Sequence, residues 1–295
     1  MPTNAWKVLQ IAIDQWFAHK SARLGAALAY YSVFSMGPLL LIVISIAGLF
    51  LGADAVRGSL TSQFRSMLGD TGSKAVEAML QGASSPEGGH LTAVTGIVLL
   101  FVAALGVVNQ LKDAMNTIWN VEQPKDVNVR WYVRTYLVSF AGIMSLGFLL
   151  AVSLVISTGL AALSTWAGSS STVIGEVLSF VASLAVLTTL FAMLYRWFPD
   201  TEIAWRDVLP GAFFAALAFN LGKSAIGWYI GTQGLESTYG AAASIVILLI
   251  WVYYSAQIVL FGAELTHAYA TEIGSCQRMD VNAQLPHKAR TLGNE

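Results

Sequence analysis

The sequence predicts an all-helical protein built to sit in a membrane, and three observations carry that expectation. Apolar residues make up 56% of the 295-residue chain and charged residues 11%, against about 25% charged in an ordinary soluble domain. The segments Leu24–Ala53, Leu91–Leu111, Thr135–Gly175, Val177–Tyr195 and Ser237–Ala263 contain no Asp, Glu, Lys or Arg, and a helix needs about 20 apolar residues to cross the hydrocarbon core. The polar run Ala167-Gly168-Ser169-Ser170-Ser171 splits the third segment in two. A further apolar stretch, Val208–Leu235, is broken only by Lys223. These give six spans, at about 33–53, 92–112, 136–160, 173–197, 208–231 and 241–268. They form one integral membrane domain, residues 1–272, followed by a polar cytoplasmic tail, 273–295. Cation asymmetry orients it: with the N-terminus inside, the inner segments carry Lys7, Lys20, Arg23, Lys112, Lys125, Arg130, Arg134, Arg196, Arg206, Arg278, Lys288 and Arg290. The outer segments carry only Arg57, Arg65 and Lys74. Both termini are expected in the cytoplasm.

The N-terminal segment has no secretory cleavage pattern. Trp6, Leu9, Ile13, Trp16 and Phe17 recur at helical spacing with Lys7, Gln10, Asp14 and Gln15 between them. This is an amphipathic helix, suited to lie in the inner interface or to pack against the cytoplasmic end of the bundle. Ser35-Met36-Gly37-Pro38 then interrupts an over-long apolar run, and because Pro38 lacks a backbone donor a kink is expected there, ahead of the first span. Between Asp54 and His90 lies the one long outer loop. Leu60, Phe64, Met67 and Leu68 mark one apolar face; Val76, Met79 and Leu80 mark another; Gly69-Asp70-Thr71-Gly72 separates them. Two short helices capping the outer mouth are expected. Small residues in the third and fifth spans, among them Gly142, Ser145, Gly147, Gly211, Ala212, Ala215, Ala216 and Gly222, allow close helix approach.

Several function classes find no support. A net charge of -1 leaves no basic field for nucleic acid. One cysteine, Cys276, excludes a disulfide framework. His19, His90, His267 and His287 are scattered without metal-ligand spacing, and neither a nucleophile elbow nor a phosphate-binding loop is present. No enzyme activity, metal or cofactor is expected.

Polar groups inside the spans are few, so they are the candidate site. Lys223 stands out, because a charge at membrane depth costs roughly 2.5–3.5 kcal/mol on insertion scales. Asn220 is three residues earlier and shares its face. Lys223 either pairs with Glu176, with Glu236 or with water at the interface, or lines a cleft as a point charge for an anionic headgroup. Glu264 either pairs with Arg23, Arg130 or Arg196, or belongs to the same path. The basic and aromatic rim, Arg130-Trp131-Tyr132, Arg134, Tyr195-Arg196-Trp197-Phe198 and Trp205-Arg206, is an anchor belt or an entry zone for headgroups.

A set of ordered motifs resembles the YihY/BrkB family of bacterial inner-membrane proteins. They are Arg23–Tyr31 (RLGAALAYY) with Phe34-Ser35 and Pro38-Leu39-Leu40, then Ala114-Met115-Asn116 with Ile118-Trp119. Tyr195-Arg196, Phe198-Pro199 and Gly211-Ala212 follow, then Tyr239-Gly240, Trp251-Val252-Tyr253-Tyr254 and Gly262-Ala263-Glu264. The resemblance implies six spans with both termini inside, and a link to serum resistance and lipid export; an older ribonuclease label has no counterpart in these residues. No catalytic residues carry over from it.

The expected function is therefore an inner-membrane transporter or flippase-like protein. It handles an anionic phospholipid through a lateral polar cleft lined by Lys223, Asn220, Glu176, Glu264, Arg130, Arg134 and Arg196. Its partners are membrane lipids and, at loop 54–90, an envelope protein. A small-solute or ion transporter and a non-transporting scaffold or regulatory protein are the alternatives.

Overall fold

The computed structural model describes residues 2–84, 106–121, 172–232 and 239–275. The predicted span 136–160, most of 92–112, Arg130, Arg134, Glu236 and the tail beyond Ser275 lie outside the described residues. Every regular element within them is helical. We number these α1 (Pro2–Ala18), α2 (Ser21–Leu51), α3 (Ala53–Ser84), α4 (the described part, 106–118), α5 (Thr172–Trp197), α6 (Trp205–Thr232) and α7 (Ala243–Glu272). A single 3-10 turn, Gly240–Ala242, leads into α7.

Two of these helices contain segments long and apolar enough to cross a membrane: Phe180–Trp197, with mean hydropathy 1.5, and Ala243–Glu272, with mean hydropathy 2.1. Among the described helices α7 is the common packing partner: α1, α2, α3 and α6 all pack on it. α6 meets it through small residues: Ala212, Ala215 and Ala216 are fully buried, as the density of small side chains in that span predicts. α5 packs on the other side of α6.

α1 and the start of α2 run antiparallel to α7. Lys7 pairs with Glu272, Gln15 with His267, His19 with Glu264, and Gln257 with the carbonyl of Ala22. α1 thus packs lengthwise on the last turns of α7, the second of the two expectations for it. Its inward stripe is Val8 and Ala12, buried, with Gln15 and His19, half-buried, on one face of the helix, while Trp6, Ile13 and Phe17 are exposed on another. These three large apolar residues face outward, and Val8 and Ala12 face protein. In lipid this is the stable assignment, because helix packing rewards close approach and lipid solvates the bulky groups.

α2 does not break at Ser35–Pro38; the helix continues from Ser21 to Leu51. Pro38 removes one donor, and the remaining hydrogen bonds carry the helix through, as happens in membrane helices. The segment after it does bend as expected. Gly69 takes φ 72°, ψ −178° and divides α3 into two helical halves. The second half does more than cap the end of the bundle. A side-chain carbon at Gly37 would stand 3.8 Å from Met79, and Gly37 lies about 21 Å along α2 from its Leu51 end at 1.5 Å per residue. α3 therefore folds back along α2, burying Val56, Leu68, Ala75, Val76 and Leu80 against Leu40, Ile44, Ile247 and Leu248. A second core at the opposite end gathers Leu111, Met115 and Ile118 of α4 with Leu28, Tyr195, Ala215 and Leu260.

Candidate functional site

The joint between α1 and α2 delivers the polar centre of the molecule. Lys20 adopts a left-handed backbone, φ 55° and ψ 43°, which turns the chain from one helix into the next. The residues on either side of it, His19 and Ser21, face α7. Glu264 is completely buried there. Its carboxylate accepts a hydrogen bond from Ser21 Oγ at 2.8 Å, and His19 Nδ1 lies 3.0 and 3.2 Å from its two oxygens. With the proton on Nδ1, the imidazole donates to that carboxylate. One turn along α7, His267 Nδ1 lies 3.1 Å from Gln15 Oε1 and its ring stands edge-on to Trp119 at 4.9 Å. A buried carboxylate without such partners would carry a desolvation penalty of several kcal/mol.

Glu264 therefore does not pair with Arg23 or Arg196, as its charge suggested. Arg23 is exposed, and Arg196 lies over the Trp205 ring, 5.1 Å from its centroid. The left-handed turn at Lys20 puts the histidine inside and turns the arginine out. The pairing His19–Glu264 spans 245 residues, so no local pattern reports it. One signal was present: His19 continues the stripe Val8, Ala12, Gln15 at helical spacing.

Beside this centre, a lateral groove of about 300 Å³ opens between α1, α6 and α7. It is lined by Trp16, Phe214, Ala218, Gln257, Ile258 and Phe261. Its walls are almost wholly apolar. Two of its residues contain buried polar atoms without a hydrogen-bond partner among the described residues, Trp16 Nε1 and Gln257 Oε1; Trp119 Nε1 nearby is a third. Gln257 fits because residue 25 is glycine: a side chain there would collide with its amide. Lys20 and Arg23, both exposed, follow Trp16 at the joint.

The other predicted residues lie elsewhere. Asn220 is buried between α5 and α6, where its amide donates to the carbonyl of Ala216 at 3.1 Å and its Oδ1 accepts from Ser183 at 3.2 Å. Asn220 thus faces α5, whereas Phe214 and Ala218 face the groove on another side of α6. Lys223 lies on α6. Glu176 is on α5 near its start. For Glu176 and Lys223 the structure describes the helix position and not the side chain. Asn220 and Glu264 are held in separate networks, so the expected single path does not bring them together. The rim at 198–204 is tied to α4: Lys112 pairs with Asp200 at 2.9 Å, and Asn116 both donates to the Asp200 carboxylate at 3.0 Å and accepts from its backbone N–H at 2.9 Å.

Comparison with known proteins finds relatives over most of the chain. A UPF0761 membrane protein of Pseudomonas paraeruginosa is 33% identical over 249 residues, which cover 83% of this chain and 58% of that longer protein. One from Stenotrophomonas maltophilia is 30% identical over 247 residues, covering 83% and 56%. One from Pseudoalteromonas translucida is 28% identical over 246 residues, covering 83% and 80%. The chain thus spans little more than half the length of the first two relatives. No solved structure matches it significantly. The family described as virulence factor BrkB matches residues 12–284, a stretch that runs from α1 through the Glu264 centre and past the end of α7, and the chain belongs to that family of membrane proteins.

Proposed function

We propose that this protein moves an anionic, two-part lipid through the lateral groove between α1, α6 and α7. The reading includes six spans, an inner-membrane location and both termini in the cytoplasm, all three from the charge and hydropathy pattern. One observation carries it: an apolar groove of about 300 Å³ open at the surface between α1, α6 and α7, with exposed Lys20 and Arg23 at the joint beside one wall. That volume is at the small end of ligand sites and suits a segment of acyl chain. The headgroup stays at the basic joint and at the rim of Arg196 and Arg206, where cations attract anionic lipid by about 1 kcal/mol each. No nucleotide-binding motif is present in the sequence, so the drive comes from a gradient, a partner or downhill flow.

The test is transbilayer movement of a labelled anionic phospholipid in liposomes holding purified protein. Wild type is expected to accelerate it. Ala218→Trp, which fills the groove, is expected to abolish it; Lys20→Ala with Arg23→Ala is expected to slow it for anionic and spare it for zwitterionic lipid. Equal rates in folded wild type and folded Ala218→Trp would overturn the groove route. An ion or small-solute transporter is the second reading, favoured by the buried His19–Glu264 pair; it predicts solute flux that survives filling of the groove.

A further inference from the structure

One buried charge and one left-handed residue coincide at the α1–α2 joint. Lys20 is flanked by the two side chains that hold Glu264. The groups facing this carboxylate can be named element by element. α1 contributes His19, 14% exposed, and α2 contributes the Ser21 hydroxyl. His267 lies one turn along α7, engaged by Gln15 and by the Trp119 ring that follows α4. From α5, the Tyr195 hydroxyl donates to the carbonyl of Val259 and packs over Gly262. Among the described residues no lysine or arginine forms an ion pair with Glu264.

The charge balance follows from this inventory. With His19 neutral, the site holds a carboxylate whose only compensation is two hydrogen bonds. One added proton, on the imidazole or on the carboxyl, brings the pair to net zero, and it belongs to the pair rather than to either residue. Adding it changes what the joint is worth. An imidazolium facing a carboxylate is a charge-assisted contact between α1 and α7; a neutral imidazole facing a carboxylate is a weaker one that leaves a charge buried.

We propose that His19 and Glu264 form a proton-binding site, and that its occupancy sets how firmly the α1–α2 joint is held to α7. The site and the groove share this joint. Trp16 forms the groove's α1 wall one turn before Lys20, and Gln257 of the α7 wall is tied to Ala22 of the joint at 3.3 Å. Proton occupancy therefore bears on the groove as well. That last link rests on the groove reading above; the proton site does not.

The test uses the full chain, purified and placed in lipid nanodiscs. Infrared difference spectra between about pH 5 and about pH 9, the range in which an imidazole–carboxylate pair changes charge, report the C=O stretch of a protonated carboxyl and the ring modes of imidazolium. A single-proton transition is expected in wild type. In Glu264→Gln the carboxyl contribution disappears. In His19→Asn the carboxyl protonates alone and at a higher pH than in wild type, because the imidazolium no longer favours the charged form. Should Glu264→Gln not fold, wild type against His19→Asn makes the same assignment. A second readout follows the joint directly. Spin labels replacing exposed Trp6 and Ile273, with Cys276 changed to Ser, are expected to move apart as the pair loses its proton, with the infrared midpoint. No transition at either residue across the range, or a carboxyl midpoint indifferent to His19, would overturn the proton site. A constant label distance through an intact transition would overturn its control of the joint. Absence of lipid movement with both readouts intact would count against the groove reading alone.

Discussion

Glu264 shows how a single residue organises its surroundings. Its carboxylate sits out of solvent, and the two side chains that satisfy it come from the far end of the sequence. Removing either donor leaves part of a buried charge uncompensated, so the loss exceeds that of a surface hydrogen bond. His19→Ala is expected to lower stability by roughly 1–3 kcal/mol, and Ser21→Ala by about 1 kcal/mol. Chemical denaturation in detergent at a pH where wild type is most stable reads both; equal stability of wild type and His19→Ala would show that the contact is dispensable. Glu264→Ala should be worse than Glu264→Gln, since the amide still accepts from Ser21 and the alanine leaves a cavity as well. Lys223, the most conspicuous residue in the sequence, is placed by the structure only as a position on α6. A lone charge announces that something near it is unusual; it does not announce which neighbour it meets.

At the scale of elements, glycine decides two features and does so differently. Between α6 and α7 the backbones approach because residues 211, 222 and 262 carry no side chain. A carbon at Gly262 would collide with the Tyr195 hydroxyl and stand 2.8 Å from Ala215; one at Gly211 would collide with Thr266. Gly262→Val should force these helices apart at a cost of about 1–3 kcal/mol; a thermal melt no lower than wild type would contradict the packing described. In α3 the constraint is conformational. Gly69 has φ 72° with nothing within 4 Å of an added carbon, whereas Gly58 has the same open space and no positive φ. Gly69→Ala should therefore destabilise by about 1 kcal/mol, and Gly58→Ala should stabilise by roughly 0.5–1 kcal/mol. Parallel denaturation of the two variants separates backbone strain from steric crowding, and a shift of the same sign in both would refute the distinction.

At the scale of the whole molecule, the described helices α1, α2, α3 and α6 all pack on α7, with the first and last described helices side by side. α1 and α7 are the first and last described helices, and the Lys7–Glu272 contact at 2.6 Å closes them side by side. The start of α1 and the end of α7 therefore share one end of the described structure, and on the topology proposed above that end is the cytoplasmic one. Cys276, the single cysteine, gives a direct check. A membrane-impermeant thiol reagent is expected to label it in inside-out vesicles and not in intact cells; labelling from the outer face would invert the topology.

The sequence by itself determined the class of molecule. Charge-free runs, their length and the placement of cations depend on the bilayer as solvent, and each is a property of consecutive residues. The same holds for the bend at Gly69, where residue type dictates backbone, and for the small-residue face of α6. Only the tertiary structure decided which face of α1 is inside, that α3 folds back along α2, that the helix carries on through Pro38, and that Glu264 meets His19. Hydrophobic periodicity marked Trp6, Ile13 and Phe17 as one apolar face but left open whether that face meets lipid or protein, because in lipid a large apolar side chain is equally well placed outward. The site escaped for a second reason: its partners are joined by a left-handed turn and 245 residues of intervening chain, and contacts of that range are set by how whole helices pack.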